Sequence, residues 1–214
     1  MEPRMLASLK KTAVGWFVPI VDGPTLYYGG YQDWLTHENV PQFFADRSCG
    51  VTACANMLTY MGFLGGYSGF SSPNVTDIPI GIFSGFQKSL YKALHPTIFG
   101  LPSQNYLIWG LRHFFKANGI RLGACKRRGA FTYENVKNYI IEGLSNDCPV
   151  LMLTWNTPIR QLRWHWVTIT GIYRDVDNHI KIITSNWGSK RDYDFDEWFY
   201  SWSFCKRVLY FDRA

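Results

Sequence analysis

The pattern of apolar and polar positions changes character along the chain. Val14 to Val21 and Thr25 to Tyr28 are aromatic and β-branched, with Asp22-Gly23-Pro24 between them as a turn, so two short extended segments are expected within residues 14–31. Cys49 to Tyr60 then reads as a helix, with Ala53, Met57 and Leu58 on one side and Gly62 and Gly65-Gly66 as its stop. A loop rich in Gly, Ser and Pro follows through Pro79. Two further helical stretches are expected at roughly Phe83–Leu94 and Asn105–Ala117, the second ended by Asn118-Gly119.

Ile120 to Ala124 reads as a short strand. Thr132 is a candidate N-cap for a helix through Leu144, with Val136, Tyr139, Ile140 and Leu144 at helical spacing. The final third is strand-like. Pro149 to Trp155 is a near-continuous apolar run, as a strand covered on both faces would be. Trp164–Tyr173, His179–Ser185 and Arg207–Phe211 are further strands, and Phe195–Phe199 is a short helix before the last of them. Helices first and strands later predict an α+β fold whose helical part packs on an antiparallel β-sheet. Residues 1–214 are expected to form a single domain, with 62–118 as a helical insertion between the Cys49–Tyr60 helix and the sheet.

Composition narrows the class. Of 214 residues, 47% are hydrophobic and only 18% charged, which argues for a folded core and against disorder. The net charge of +6 is scattered, and Lys10-Lys11 and Lys126-Arg127-Arg128 are too short to be a nucleic-acid arm. No nucleic-acid partner is expected. No apolar run is long enough to span a bilayer, and the N-terminus lacks the apolar core of a signal peptide. Five cysteines at irregular spacing favour a reducing, cytoplasmic setting over a disulfide framework, while a signal already removed would leave secretion open. There is no CxxC pair, no HExxH and no calcium-loop spacing, so no metal or other cofactor is expected. Asp192, Asp194, Asp196 and Glu197 read as a solvated acidic face.

Two residues carry candidate chemistry. Cys49 opens its helix, where unpaired N–H groups and the positive end of the helix dipole favour a thiolate, the competent nucleophile at neutral pH. Gly50 leaves room for a substrate carbonyl. A buried structural role is the commoner fate of a cysteine. His165 sits at the start of a strongly β-prone run, where a base would be rigidly held. A histidine between two tryptophans is more often core. The next strand, however, ends in Asn186-Trp187-Gly188. An antiparallel neighbour would bring Asn186 to His165, where it can accept the Nδ1–H and fix the tautomer, with Trp187 shielding that bond. The alternative for Asn186 is a plain turn residue.

The ordered set resembles the papain-like cysteine peptidase superfamily, and most closely the C39-like peptidases, relatives of the double-glycine leader peptidases. It runs from Cys49-Gly50 through the helix Tyr133–Leu144 and Pro149-Val150 to His165-x-Val167-x-x-x-Gly171, then Asn186 and a Phe195 or Trp198 helix. It covers roughly residues 40–212. The resemblance implies a papain-like fold and a Cys49-His165-Asn186 triad cleaving a peptide or other amide bond through an acyl-enzyme. It also implies a glutamine a few positions before the cysteine in the oxyanion hole. Gln42 matches at one position further than the usual spacing, and Gln32 is the alternative. Ser48 and Val51 depart from the family pattern, and no transporter domain or membrane helix accompanies the motifs. Two other readings stand beside hydrolysis: an acyltransferase or transglutaminase-like enzyme on the same triad, and a degenerate module that only binds peptides.

Overall fold

The computed structural model describes residues 2–68, 78–119, 121–126 and 128–212. Most of the Gly-, Ser- and Pro-rich loop, together with Ile120 and Arg127, lies outside the described residues. The chain opens with β1 (Arg4–Ser8), a 3-10 turn at Lys10–Val14, and the hairpin of β2 (Pro19–Asp22) and β3 (Thr25–Tyr28). A second 3-10 turn (Gln32–Glu38) and α1 (Gln42–Ala45) lead into α2 (Cys49–Tyr60). Then come α3 (Phe63–Ser68), β4 (Ile78–Pro79), α4 (Ile80–Leu94), α5 (Gln104–Ala117) and α6 (Tyr133–Ser145). The last third holds β5 (Val150–Thr154), β6 (His165–Arg174), β7 (Ile180–Asn186), β8 (Ser189–Asp194), α7 (Phe195–Tyr200) and β9 (Lys206–Leu209).

This is an α+β architecture. The main sheet runs β8-β7-β6-β5-β9, every pair antiparallel. β7 takes one edge of β6, while β5 pairs with its first half and β1 with its second. A small sheet, β3-β2-β4, meets it at the turn between β7 and β8, where Tyr28 N–H donates to Gly188 O at 2.8 Å.

Both faces of the main sheet are covered, which explains why β5 is buried at every position and reads as an unbroken apolar run. On one face lies α2, whose Ala53 carbonyl accepts from Thr168 Oγ1 of β6 and whose Gly50 abuts the Trp166 ring. On the other, Val150 meets Gly143 of α6, and the Trp198 indole of α7 donates to Thr154 Oγ1 at 2.7 Å.

All twelve residues of α2 are buried, so it has no solvent face, unlike the one-sided helix its Ala53, Met57 and Leu58 suggest. α4 and α5 pack together, and α4 rests on α2.

Several local expectations change. Gly62, at φ 94°, ends α2, but Gly65 and Gly66 lie inside α3 rather than in a stop. α4 begins at Ile80, three residues before the expected Phe83. No strand forms over the described part of 120–124; Asp212 N–H donates to Ala124 O and Lys126 N–H to Tyr210 O, an irregular edge contact. Gly123 permits it, since a Cβ there would meet Asp212 O at 2.0 Å. The acidic face is partly structural: Asp194 Oδ1 caps α7 by accepting from Glu197 N at 2.8 Å, and Asp196 accepts from Tyr133 OH. Among the described residues no helix is long and apolar enough to cross a membrane.

One buried polar contact ties α2 to its surroundings. Asn56 Oδ1 accepts from Gly30 N at 2.7 Å, its Nδ2 donates to Ser185 Oγ of β7 at 3.2 Å, and Ser185 Oγ donates to Tyr28 O. Truncating Asn56 strands the Gly30 donor in the interior. Asn56→Ala should lower the unfolding free energy by about 2 kcal/mol, read from the urea midpoint at unchanged slope; a loss under about 0.5 kcal/mol would show the network to be incidental.

Candidate active site

Cys49 is the first residue of α2 and is only 8% exposed. Its helix starts there because Ser48 leaves helical geometry (φ −100°, ψ 19°) without a side-chain cap, so the first-turn N–H groups stay available. Backbone N–H groups of Trp166, Gly50 and Cys49 itself favour the charged form of the sulfur. Burial nonetheless dominates and pushes the thiol up, with those three N–H groups opposing it.

His165 opens β6 and Asn186 ends β7. The register pairs Thr168 with Ser185, which sets the two side chains on neighbouring strands near the same end of the sheet. His165 Nε2 lies 2.8 Å from Asn186 Oδ1, both buried. The partner nitrogen is thus Nε2, not the expected Nδ1. Asn186 Oδ1 can only accept, so Nε2 carries the proton and Nδ1 keeps a lone pair. Burial lowers His165 to about 4, against the Asn186 bond, which raises it. The Trp187 ring lies 5.0 Å from the imidazole and covers it.

Asn186 is fixed from its other end, because its Nδ2 donates to Tyr193 OH of β8 at 2.8 Å. The amide is oriented with its oxygen toward His165. Tyr193 carries no signal in the sequence, since it lies in the charged run Ser189–Asp194, which does not read as a strand.

The two glutamines separate clearly. Gln42 is exposed on α1 and donates to Asp46 Oδ1 at 2.7 Å, outside the cleft, which corrects its expected place beside the cysteine. Gln32, from the 3-10 turn, is buried and lines the cleft with Cys49, His165, Asn186 and Trp187. Its Nε2 donates one hydrogen to Asp46 O at 2.7 Å, leaving the second N–H for another acceptor. Sequence spacing favours Gln42 because it lies nearer Cys49; the fold instead brings Gln32 to the cleft, from a turn seventeen residues upstream of Cys49.

Gly50 also differs from expectation. A Cβ there would meet Leu101 Cδ1 at 2.9 Å and Trp166 Cδ1 at 3.0 Å, so the space is filled by protein. Trp166 Nε1 donates to Leu101 O at 2.8 Å, bringing residues of the 62–118 segment to the edge of Cys49. The neighbouring pocket, of about 250 Å³, is apolar and includes Phe99, Trp155 and Trp164. Among the described residues no group of three or more His, Cys, Asp or Glu side chains is placed to hold a metal ion.

Comparison of the chain with protein-family models, curated proteins and solved structures finds no match in any of the three.

The buried imidazole has a consequence for stability. Folding lowers the His165 pKa from 6.5 to about 4, so between these values the unfolded chain binds the extra proton. The histidine's contribution is therefore full above pH 6.5 and is lost as pH falls toward 4. At about 1.4 kcal/mol per unit the loss is on the order of 3 kcal/mol. Urea unfolding of the wild type and His165→Gln from pH 7 to 4 should show the variant falling less steeply; parallel curves would mean that His165 is not buried neutral.

Proposed function

We propose that this chain is a papain-like cysteine hydrolase acting on a peptide or other amide bond, with Cys49 as nucleophile, His165 as base and Asn186 orienting it. The observation that carries the reading is the His165 Nε2 to Asn186 Oδ1 bond, which leaves Nδ1 as a lone-pair nitrogen in the cleft that also holds Cys49 at the start of a helix. His165 would take the thiol proton on Nδ1 as the sulfur attacks the carbonyl carbon. The tetrahedral oxyanion would be met by the second Gln32 N–H and by N–H groups at the start of α2. The imidazolium would then protonate the leaving amine, and water would release the acyl group from sulfur.

The two opposed pKa shifts fit this cycle. Each is the cost of one charge formed alone in a buried site. Moving the thiol proton to the imidazole forms both charges together, and each becomes the other's counter-ion. The same shifts also favour a second reading, in which the thiol stays ordinary and the module only binds peptides.

Alkylation separates the two. Cys49 should be the fastest of the five cysteines to react with iodoacetamide, tracked by mass spectrometry from pH 5 to 9, and His165→Ala should slow it about 10²-fold. A single alkaline step, unchanged in the variant, would leave the binding-module reading. Tyr193→Phe removes the acceptor that orients Asn186, so its expected effect is smaller, roughly 2- to 10-fold, and it should vanish on an Asn186→Ala background. An equal effect on both backgrounds would assign Tyr193 a role unrelated to the triad.

A further inference from the structure

The basic run at 126–128, too short for a nucleic-acid arm, gains a setting from the fold. The main sheet ends at β9, and the segment before α6 closes on the continuation of that edge. Cys125 bridges Phe211 there, and Lys126 N–H donates to Tyr210 O at 3.1 Å. α5 stands opposite. Its Gln104, Ile108 and Arg112 recur every four positions and so share one helix face. That face, the 125–128 segment, and Val208 and Leu209 of β9 bound a pocket of about 350 Å³. None of its lining residues lines the cleft that holds Cys49.

The pocket is cationic. Arg112, Lys126 and Arg128 line it, and among the described residues no acidic side chain does. Lys126 reaches Asp212 at 3.2 Å, while neither arginine has a carboxylate partner among the described residues. Arg128 Nη1 donates to Gly129 O at 2.9 Å, and its guanidinium lies 4.5 Å from the Phe131 ring centroid, so both its partners are neutral. Burial lowers the Arg128 pKa, and the Arg207 charge lowers it further. Positive groups are thus gathered at a cost that no carboxylate in the pocket offsets. A bound anion would relieve it.

The lining also says which anion fits. A carboxylate presents two oxygens and suits a single guanidinium fork. A phosphomonoester carries about two negative charges at pH 7 and three acceptor oxygens, so it can engage several cations together. The side-chain amides of Gln104 and Asn105 add neutral donors. The remaining wall is apolar, formed by Ile108, Val208 and Leu209. Inorganic phosphate would leave that wall uncovered, whereas an ester with an apolar group would cover it.

We infer that the pocket between α5 and the β9 edge binds a soluble phosphomonoester, with its phosphate on Arg112, Lys126 and Arg128 and its apolar group on Ile108, Val208 and Leu209. Cys125 lines the same pocket and reports on its occupancy. Phenyl phosphate, titrated calorimetrically into the full chain at about 0.15 M salt, should saturate a single site. Arg112→Gln and Arg128→Gln should each weaken binding about tenfold. Arg112 is exposed on α5, so its variant keeps the test alive if Arg128→Gln fails to fold. Arg121→Gln removes an exposed cation outside the pocket and should change binding less than about twofold. Benzoate should bind about tenfold more weakly than phenyl phosphate, and inorganic phosphate should also bind more weakly. Bound phenyl phosphate should slow iodoacetamide labelling of Cys125 and leave that of Cys49 unchanged. The inference is overturned by any of four results: no saturation with either phosphate, an equal loss in Arg121→Gln, benzoate or inorganic phosphate binding as tightly as phenyl phosphate, or shielding of Cys49 in place of Cys125. Tighter, Arg112-dependent binding to vesicles whose only anionic lipid is phosphatidate would assign the phosphate to a lipid headgroup and overturn the soluble ligand. The hydrolase reading uses none of these side chains and is tested separately.

Discussion

The packing of α2 against β6 is the constraint from which the site follows. A helix buried on all sides can approach a strand closely only where its residues are small, and Gly50 and Ala53 provide that surface. Once α2 lies along β6, its first residue falls beside the start of the strand, and Cys49 and His165 share a cleft. The strand register then brings Asn186 to the imidazole from β7. The Asn56 contacts to Gly30 and Ser185 tie the same helix to β7 and to the segment that carries Gln32. Three segments distant in sequence thus meet because one helix has nowhere else to go.

That burial has an electrostatic cost. It disfavours a lone thiolate and a lone imidazolium alike, against the helix N-terminus and the N–H groups around Cys49. The expectation that a cysteine opening a helix rests as a thiolate weighs only the dipole, and desolvation outweighs it here. In the proposed cycle the site would hold its charges in reserve and form them as a pair when a substrate closes the cleft. An apolar group seated against Trp164 and Trp166 would further exclude water from the sulfur and strengthen whatever charge interaction develops there.

Periodicity made the central features legible. The Cys49–Tyr60 helix has the same ends in sequence and structure because Gly62 supplies a left-handed stop. The adjacency of His165 and Asn186 follows from two β-branched runs separated by a short polar turn. What escaped was set by tertiary contact. Arg4–Ser8 becomes a strand only because β6 outruns β5 and leaves an edge to fill. Ser189–Asp194 is charged at most positions, as an edge strand tolerates, so alternation does not reveal it. Gln32 has no local mark at all; its place beside Cys49 is made by the path of the chain through a 3-10 turn. The choice of Nε2 over Nδ1 is likewise a matter of ring orientation, which no one-dimensional pattern encodes.

The two tryptophans that flank the candidate base show where local preference yields. Asn186 pairs with Ser189, so Trp187 and Gly188 form a two-residue hairpin turn with φ of 49° and 70°. Such turns want Asn or Gly at the first position, because a Cβ strains the left-handed backbone. Trp164, immediately before His165, is also left-handed, at φ 54°. Strain of this kind costs about 1 kcal/mol or more per residue and persists only where the surroundings enforce it. Relaxing Trp187 would swing its ring off the imidazole and open the His165–Asn186 bond to water. Relaxing Trp164 would carry its ring away from Trp155 and from the wall of the apolar pocket. The same backbone distortion therefore serves both spaces beside Cys49, covering the polar pair and shaping the apolar pocket.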